Sequence, residues 1–373
     1  MRITIVTGAF FPVPALMGGA VEKVWFTLGQ EFVRRGHQVT HISRAHPELA
    51  AAEEIAGVQH RRVRGYAQPR AIVRLKLLDL FYSLRVRRIL PAADILVTNT
   101  FWLPMLVRGR QRGLVYVHVQ RGPKGQMRWY AHVARLCAVS RAIADDIVAE
   151  APQLREKVRV LPNALPFRID RTPSATREKT LLFVGRVHPE KGIELFLCAL
   201  AELPPPVLEG WAVKIVGPHE TALGGGGEDF RREMQSLGER SGAPLEWVGK
   251  IFDPAALTAQ YRAAQLFIYP SIAETGEALP VAPLEAMANG CAPIVSGLAC
   301  FRDYIADNVN GFVFDHRAPE PAKALAARLT QVLRLPADEV RRIGEAAQAT
   351  AEEFSVENVA SRYLEDFASL LGK

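Results

Sequence analysis

The chain is poor in the residues that would make it a disulfide scaffold or a metalloenzyme. Its 373 residues include four cysteines, Cys137, Cys198, Cys291 and Cys300. They lie far apart or in apolar runs with no CxxC pair, so they read as reduced, buried thiols rather than as a disulfide framework or zinc site. There is no Asp-x-Asp, and no His/Cys cluster has ligand spacing, which argues against a protein-bound catalytic metal. No uninterrupted apolar run approaches ~20 residues, so no bilayer-spanning helix is expected. The opening Met1-Arg2-Ile3-Thr4-Ile5-Val6-Thr7-Gly8 lacks the leader, apolar core and cleavage site of a signal peptide and reads as a first strand. These absences together suggest a cytoplasmic protein.

Acidic residues are also scarce in the first half. Residues 1–165 hold 25 Lys and Arg against 11 Asp and Glu, whereas the remainder holds 21 against 28. Such asymmetry implies that the first half meets an anionic partner; nothing in it points to nucleic acid. The basic residues peak between His60 and Leu90, where Arg61, Arg62, Arg64, Arg70, Arg74, Lys76, Arg85, Arg87 and Arg88 face one acid, Asp79. Leucines, valines and isoleucines are interleaved with them. Two readings follow. A basic amphipathic helix lies on an anionic membrane, or a core-packing helix buries its apolar stripe on a sheet and solvates its basic face.

An apolar content of 49% and a charged content of 23% are ordinary for a globular protein. The length calls for two domains. Short β-branched runs alternate with helical patterns. Strands are expected at 3–7, 38–43, 95–98, 114–118, 135–139 and 158–161, and in a second series at 180–184, 212–216, 245–248, 266–269 and 292–295. A helix is expected at 21–35. This is the pattern of two doubly wound parallel sheets in tandem. Residues 164–174, with Pro and polar residues, read as the linker, giving domains at 1–165 and 166–355. An amphipathic helix at 356–371 would fold back on the first domain. The four glycines 224–227 read as a flexible surface loop without chemistry.

The densest chemistry lies in residues 270–290, which run from an apolar strand through a loop with two carboxylates into a helix. Glu277 and Glu285 are separated by seven residues where a strand-to-helix turn needs neither. Pro280 or Pro283 would occupy the first helical position, where a missing N–H costs nothing. Ala278, Leu279 and Val281 would still offer amides to an anion. Earlier in the same half, Gly185-Arg186-Val187-His188-Pro189-Glu190-Lys191-Gly192 follows a strand, and an arginine fork with a lysine point charge suits a diphosphate. In the first half, Gly18-Gly19 ends a long loop at a helix start, without the GxGxxG spacing of a nicotinamide-binding fold. His118 ends an apolar strand, within reach of a substrate if that strand is central. Each motif also has a plain structural reading, as a tight turn, a solvated charge or a satisfied histidine.

In this order the motifs resemble the retaining GT-B glycosyltransferases of family 4 over nearly the whole chain. The elements that carry the resemblance are Gly18-Gly19-Ala20-Val21-Glu22, Arg35-Gly36-His37-Gln38-Val39, Ala138-Val139-Ser140, Val160-Leu161-Pro162-Asn163, Gly185-Arg186 with Lys191-Gly192, Ile215-Val216-Gly217, Pro270-Ser271, and Glu277-x7-Glu285-Ala286-Met287-Ala288-x-Gly290. The resemblance implies an α/β fold of two Rossmann-like domains facing a cleft. It implies transfer of a sugar from a nucleoside-diphosphate sugar to a saccharide or lipid-linked acceptor, with retention and without a metal or other cofactor. Arg186 and Lys191 then match the diphosphate ligands, Glu285 the carboxylate on the ribose, Glu277 the contact to the donor sugar, His118 the histidine near the sugar's reacting face, and Gly19 the loop glycine by the phosphates. Glu274 competes with Glu277 for its role. The Gly-rich stretch usual after the first Glu is here Ala278-Leu279-Pro280. Sugar-nucleotide epimerases and phosphorylases of the same architecture, and a non-catalytic nucleotide-sugar-binding protein, are the alternative readings. Cell-surface glycan synthesis on the cytoplasmic face of a membrane is the expected setting.

Overall fold

The computed structural model describes every residue except 18, 70, 171–176, 243, 276 and 373. Gly18, Arg70 and part of the expected linker therefore lie outside the described residues. The chain forms two compact units, one of Met1–Arg168 with Phe354–Lys373 and one of Ile169–Glu353.

The first unit contains β1 (Arg2–Val6), α1 (Ala20–Arg34), β2 (Gln38–Arg44), β3 (Ala52–Ile55), β4 (Val58–Val63), α2 (Ile72–Ile89), β5 (Ile95–Thr98), α3 (Leu103–Leu106), β6 (Leu114–Val119), β7 (Arg135–Ala138), α4 (Arg141–Glu150) and β8 (Val158–Val160). Its sheet has the order β3-β4-β2-β1-β5-β6-β7-β8. All neighbours run parallel except the β3–β4 hairpin at one edge. Burial alternates along β4, but the inward positions after Val58 are His60 and Arg62 and not apolar residues. That is why the apolar pattern does not announce it.

The second unit contains β9 (Glu178–Val184), α5 (Ile193–Ala201), β10 (Ala212–Val216), α6 (Glu228–Arg240), β11 (Leu245–Gly249), α7 (Pro254–Ala263), β12 (Ala264–Tyr269), α8 (Val281–Ala288), β13 (Ala292–Ser296), β14 (Phe312–Phe314), α9 (Pro321–Leu333) and α10 (Ala337–Ala351). Its six strands are all parallel, in the order β11-β10-β9-β12-β13-β14. Helices cover both faces, so the strands read as continuous apolar runs such as Leu181-Leu182-Phe183 and Leu266-Phe267-Ile268, all fully buried.

The final helix, α11 (Val356–Leu371), belongs to the first unit. It buries Val356, Val359, Ala360, Tyr363 and Phe367. Tyr363 meets Trp25 of α1 with ring centroids 5.2 Å apart, and Phe367 meets Phe32 at 6.0 Å. Asp366 fixes its register by pairing with Arg135 at 2.7 Å and accepting from the Tyr116 hydroxyl at 2.8 Å.

Of the two readings of helix α2, the core-packing one is not met. Its buried residues are Asp79, Tyr82, Ser83 and Val86. Val73, Leu77, Phe81 and Leu84, which the core-packing reading would bury on the sheet, are exposed instead. Asp79 explains the orientation, because its carboxylate accepts the backbone amides of Phe101 and Trp102, each at 3.1 Å. A buried carboxylate with several donors holds a helix face inward more firmly than an aliphatic stripe that water also touches.

Candidate active site

In an open parallel sheet, ligands bind beyond the carboxyl ends of strands where the strand order reverses. In the second unit the chain leaves β9 toward β10 and β11, then returns to β12 on the other side of β9. The reversal therefore lies between β9 and β12. The loop after β9 carries Arg186 and Lys191, and the loop after β12 carries Glu277.

These two loops are stitched together. The Ile272 amide donates to the Glu190 carbonyl at 3.1 Å. The single hydroxyl proton of Ser271 lies between that same carbonyl at 3.0 Å and Glu277 Oε1 at 2.9 Å. Ser296 at the end of β13 donates to the Ser271 carbonyl at 2.5 Å. Gly192 adopts φ +69°, and a Cβ there would lie 1.9 Å from the Pro270 carbonyl oxygen. Only glycine lets the two loops approach this closely.

The result is a charged pair at the reversal. Lys191 Nζ donates to Glu277 Oε1 at 2.5 Å, with the side chains 11% and 7% exposed. The Tyr269 hydroxyl donates to the same oxygen at 2.9 Å, and Lys191 stands 5.4 Å above the Tyr269 ring. Burial, then the Glu277 charge, pushes the Tyr269 hydroxyl well above its usual range, so it remains a donor at neutral pH. Three donors thus converge on one carboxylate oxygen, which fixes its rotamer.

Arg186 lies on the same loop. Its guanidinium donates to Glu190 Oε1 at 2.5 Å and to the Gly224 carbonyl at 2.7 Å. This corrects the reading of residues 224–227 as a flexible loop without chemistry. Gly226 donates to the Val187 carbonyl at 2.8 Å, and Gly225 has no room for a Cβ, which would lie 2.2 Å from the His219 carbonyl oxygen. The four glycines pack closely enough for their backbone to hold Arg186.

Glu285, on α8, accepts from the hydroxyl of buried Tyr261 of α7 at 3.0 Å. Helix α8 begins at Val281 with Pro280 as its N-cap, so neither proline takes the first helical position. Val281 and Ala282 occupy the first turn, where an α-helix has no internal acceptor for its amides, and no side chain caps them. Ala278 and Leu279 precede the helix in the loop. Glu274 sits in a different network, against His316 at 2.9 Å and Arg317 at 2.7 Å. The Arg317 hydrogen bond, followed by that from His316, lowers its carboxyl below the usual range. Of the two competing carboxylates, only Glu277 meets Lys191.

Gly19 and His118 belong to the first unit. Gly19 is the N-cap of α1 at φ 106°, and a Cβ there would meet the Glu22 carboxylate at 2.2 Å. Glu22 is buried, and burial raises its carboxyl to about 7. His118 is buried; its Nδ1 accepts from the Trp25 indole at 3.0 Å, and burial lowers its pKa to about 3, so the ring is neutral. Tyr269, Ser271, Tyr261 and Gly224 are the residues that motif reasoning left without a role. Ser271 falls inside the conspicuous segment 270–290 and Tyr269 immediately precedes it, but only the tertiary structure shows that both hydroxyls aim at Glu277. Among the described residues, no three His, Cys, Asp or Glu side chains cluster as metal ligands.

Two doubly wound parallel units in tandem, with a final helix returning to the first, define the GT-B architecture. A family model described as glycosyl transferases group 1 matches residues 167–350, and one described as glycosyltransferase family 4 matches residues 17–167. The chain belongs to this glycosyltransferase family. It is similar to a D-inositol 3-phosphate glycosyltransferase of Segniliparus rotundus, at 30% identity over 52% of this chain and 40% of that one. A phosphatidyl-myo-inositol mannosyltransferase of Mycobacterium leprae is 27% identical over 90% of this chain and 88% of that one. The chain spans about half the length, or less, of several relatives that it matches. Among solved structures, a sucrose-phosphate synthase of Thermosynechococcus elongatus superposes with a TM-score of 0.77 at 17% identity, covering 100% of this chain and 99% of that one. Anabaena HepE in complex with UDP and glucose gives 0.72 at 18% identity, covering 99% of this chain and 100% of that one.

Proposed function

We propose that the protein transfers a sugar, with retention, from a nucleoside-diphosphate sugar to a saccharide or lipid-linked acceptor in cell-surface glycan synthesis on the cytoplasmic side of a membrane. The observation that carries this reading is the Lys191–Glu277 pair, held at the strand-order reversal by Tyr269 and Ser271. Lys191 spends its charge on Glu277 in this state. A bound diphosphate brings more negative charge than one carboxylate and draws Nζ to itself, with Arg186 as its second cation. Glu277, released from Lys191 but still fixed by Tyr269 and Ser271, then accepts hydrogen bonds from the donor sugar's hydroxyls.

In the transfer, the bond between the sugar's anomeric carbon and the diphosphate breaks, the acceptor hydroxyl oxygen adds on the same face, and the hydroxyl proton passes to the departing diphosphate. Negative charge grows on the departing diphosphate. Arg186 and Lys191 stabilise it without a resident metal, as preorganised charge does. Glu285, oriented by Tyr261, is assigned to the ribose hydroxyls. Ala278, Leu279 and Val281 supply amides, and Gly18, Gly19 and His118 are assigned to the donor by the family resemblance.

The test is thermal stabilisation by UDP-, GDP- and ADP-sugars, followed by the anomeric configuration of the product with the donor that binds. One donor class is expected to raise the melting temperature of the native chain and not of Lys191→Ala, and the product keeps the donor's configuration. An epimerised donor with no transfer, or an inverted product, overturns the proposal.

A further inference from the structure

We propose that the outward face of α2, with the aromatic cluster beside it, is a docking surface for an anionic lipid membrane. The helix carries two classes of exposed residue on one side. Val73 is 82% exposed, Leu77 49% and Phe81 45%, and Leu84 continues the same stripe. At 100° per residue these four positions fall within about a quarter-turn of each other. Arg74 and Arg85 flank one edge of the stripe, Lys76 and Arg87 the other, and Arg88 lies at its C-terminal end. None of these five forms an ion pair among the described residues. In the second unit, Arg231, Arg317, Arg328 and Arg342 all sit against carboxylates. The positive charge around α2 is therefore not neutralised by its own chain.

The stripe continues into aromatic surface. The Trp102 indole donates to the Lys76 carbonyl at 2.8 Å, and Lys76 Nζ stands 4.5 Å above the Phe101 ring. Trp129 stacks on Trp102 at 6.5 Å and is itself 54% exposed. Tryptophan prefers the boundary between acyl chains and headgroups, where its ring is sheltered and its N–H finds a partner.

Charge complementarity selects the occupant. A protein partner for the stripe alone would not require unneutralised arginines on both edges, and a soluble polyanion would not require Val73 and Phe81. A surface with anionic headgroups above an apolar layer uses both. No described helix is long and apolar enough to cross a membrane, so α2 lies in the interface plane. Asp79 holds the opposite face of α2 to the first unit, which presents the stripe already formed rather than requiring it to fold on contact.

The test is sedimentation of the full chain with vesicles of pure phosphatidylcholine and of phosphatidylcholine with phosphatidylglycerol. Binding to the anionic vesicles alone is expected, and raising salt to about 0.5 M weakens it more than tenfold. The double variant Arg87→Glu/Arg88→Glu weakens it roughly 30-fold. Leu77→Asp/Phe81→Asp weakens it by about tenfold or more, although the charge around them is intact. Both pairs are solvent-facing, so circular dichroism and melting temperature stay those of the native chain. Equal binding to both vesicle types, no binding at low salt, or binding insensitive to Leu77→Asp/Phe81→Asp overturns the proposal. A dimer that Leu77→Asp/Phe81→Asp dissociates without altering vesicle binding assigns the face to a second copy instead, and also overturns it.

Discussion

The two units share a doubly wound strand order about their first strands, β1 and β9, but treat charge in opposite ways where that order reverses. In the second unit the charged groups at the reversal are paired: Lys191 with Glu277, and Arg186 with Glu190. In the first unit several polar groups of the sheet and of α2 are buried with little company. Thr7 Oγ1, following β1, and Ser43 Oγ, in β2, have no hydrogen-bond partner among the described residues, and neither do His41, His60 and the Tyr82 hydroxyl. Glu22 is buried without an ion pair among the described residues, and burial raises its carboxyl to about 7. The charged pairs of the second unit are in place before any substrate arrives. The first unit holds desolvated polar groups at a cost to stability. The same architecture thus combines a preorganised charged pair with a set of buried polar groups whose hydrogen-bonding capacity is unused.

The largest expected effect breaks the paired half. Glu277→Ala lowers kcat by roughly 10³-fold, since it removes the carboxylate and leaves Lys191 buried and unopposed. Steady-state kinetics with the donor identified above checks this, and Glu274→Ala serves as the contrast, with an effect below tenfold. Next in size is Gly192→Ala, which forces a Cβ against the Pro270 carbonyl in left-handed backbone. It destabilises the second unit by roughly 3 kcal/mol, read by chemical denaturation. The smallest effect tests the unpaired half. Burial raises the Glu22 carboxyl from 4.5 to about 7. The unfolded chain therefore loses its proton first as pH rises, and the stability tied to the protonated form is full below about pH 4.5 and lost through about pH 7. Glu22→Gln is accordingly expected to raise the melting temperature at pH 8 and leave it nearly unchanged at pH 4. A gain equal at both values would remove the contrast between the halves.

What could be read in the sequence follows from how local each signal is. The parallel strands were legible because both faces are covered, so their apolar runs need no partner to interpret. The β9 and β12 loops were legible because their chemistry is compressed into short segments, Gly185 to Gly192 and Pro270 to Glu285. The residues that hold Glu277 in place were not: Tyr269 looks like one more aromatic strand residue, and Ser271 like turn chemistry. Residues 224–227 were misread because four glycines suggest slack when no partner is known, whereas here they allow close packing. The orientation of α2 escaped its periodicity altogether. An aliphatic stripe has a preferred neighbour only once competitors for the core are known, and the competitor is Asp79, whose donors come from a loop 22 residues further on.

Helix α11 has a consequence for how the protein is made. It closes the first unit's core against Trp25 and Phe32, yet the ribosome reaches Val359, Tyr363 and Phe367 only after synthesising all of the second unit. During synthesis the early half must wait with an apolar seam uncovered, while the later half, which is continuous in sequence, finishes folding first. The order of maturation is therefore the reverse of the order of translation, and the interval between them is when the nascent chain most needs a chaperone.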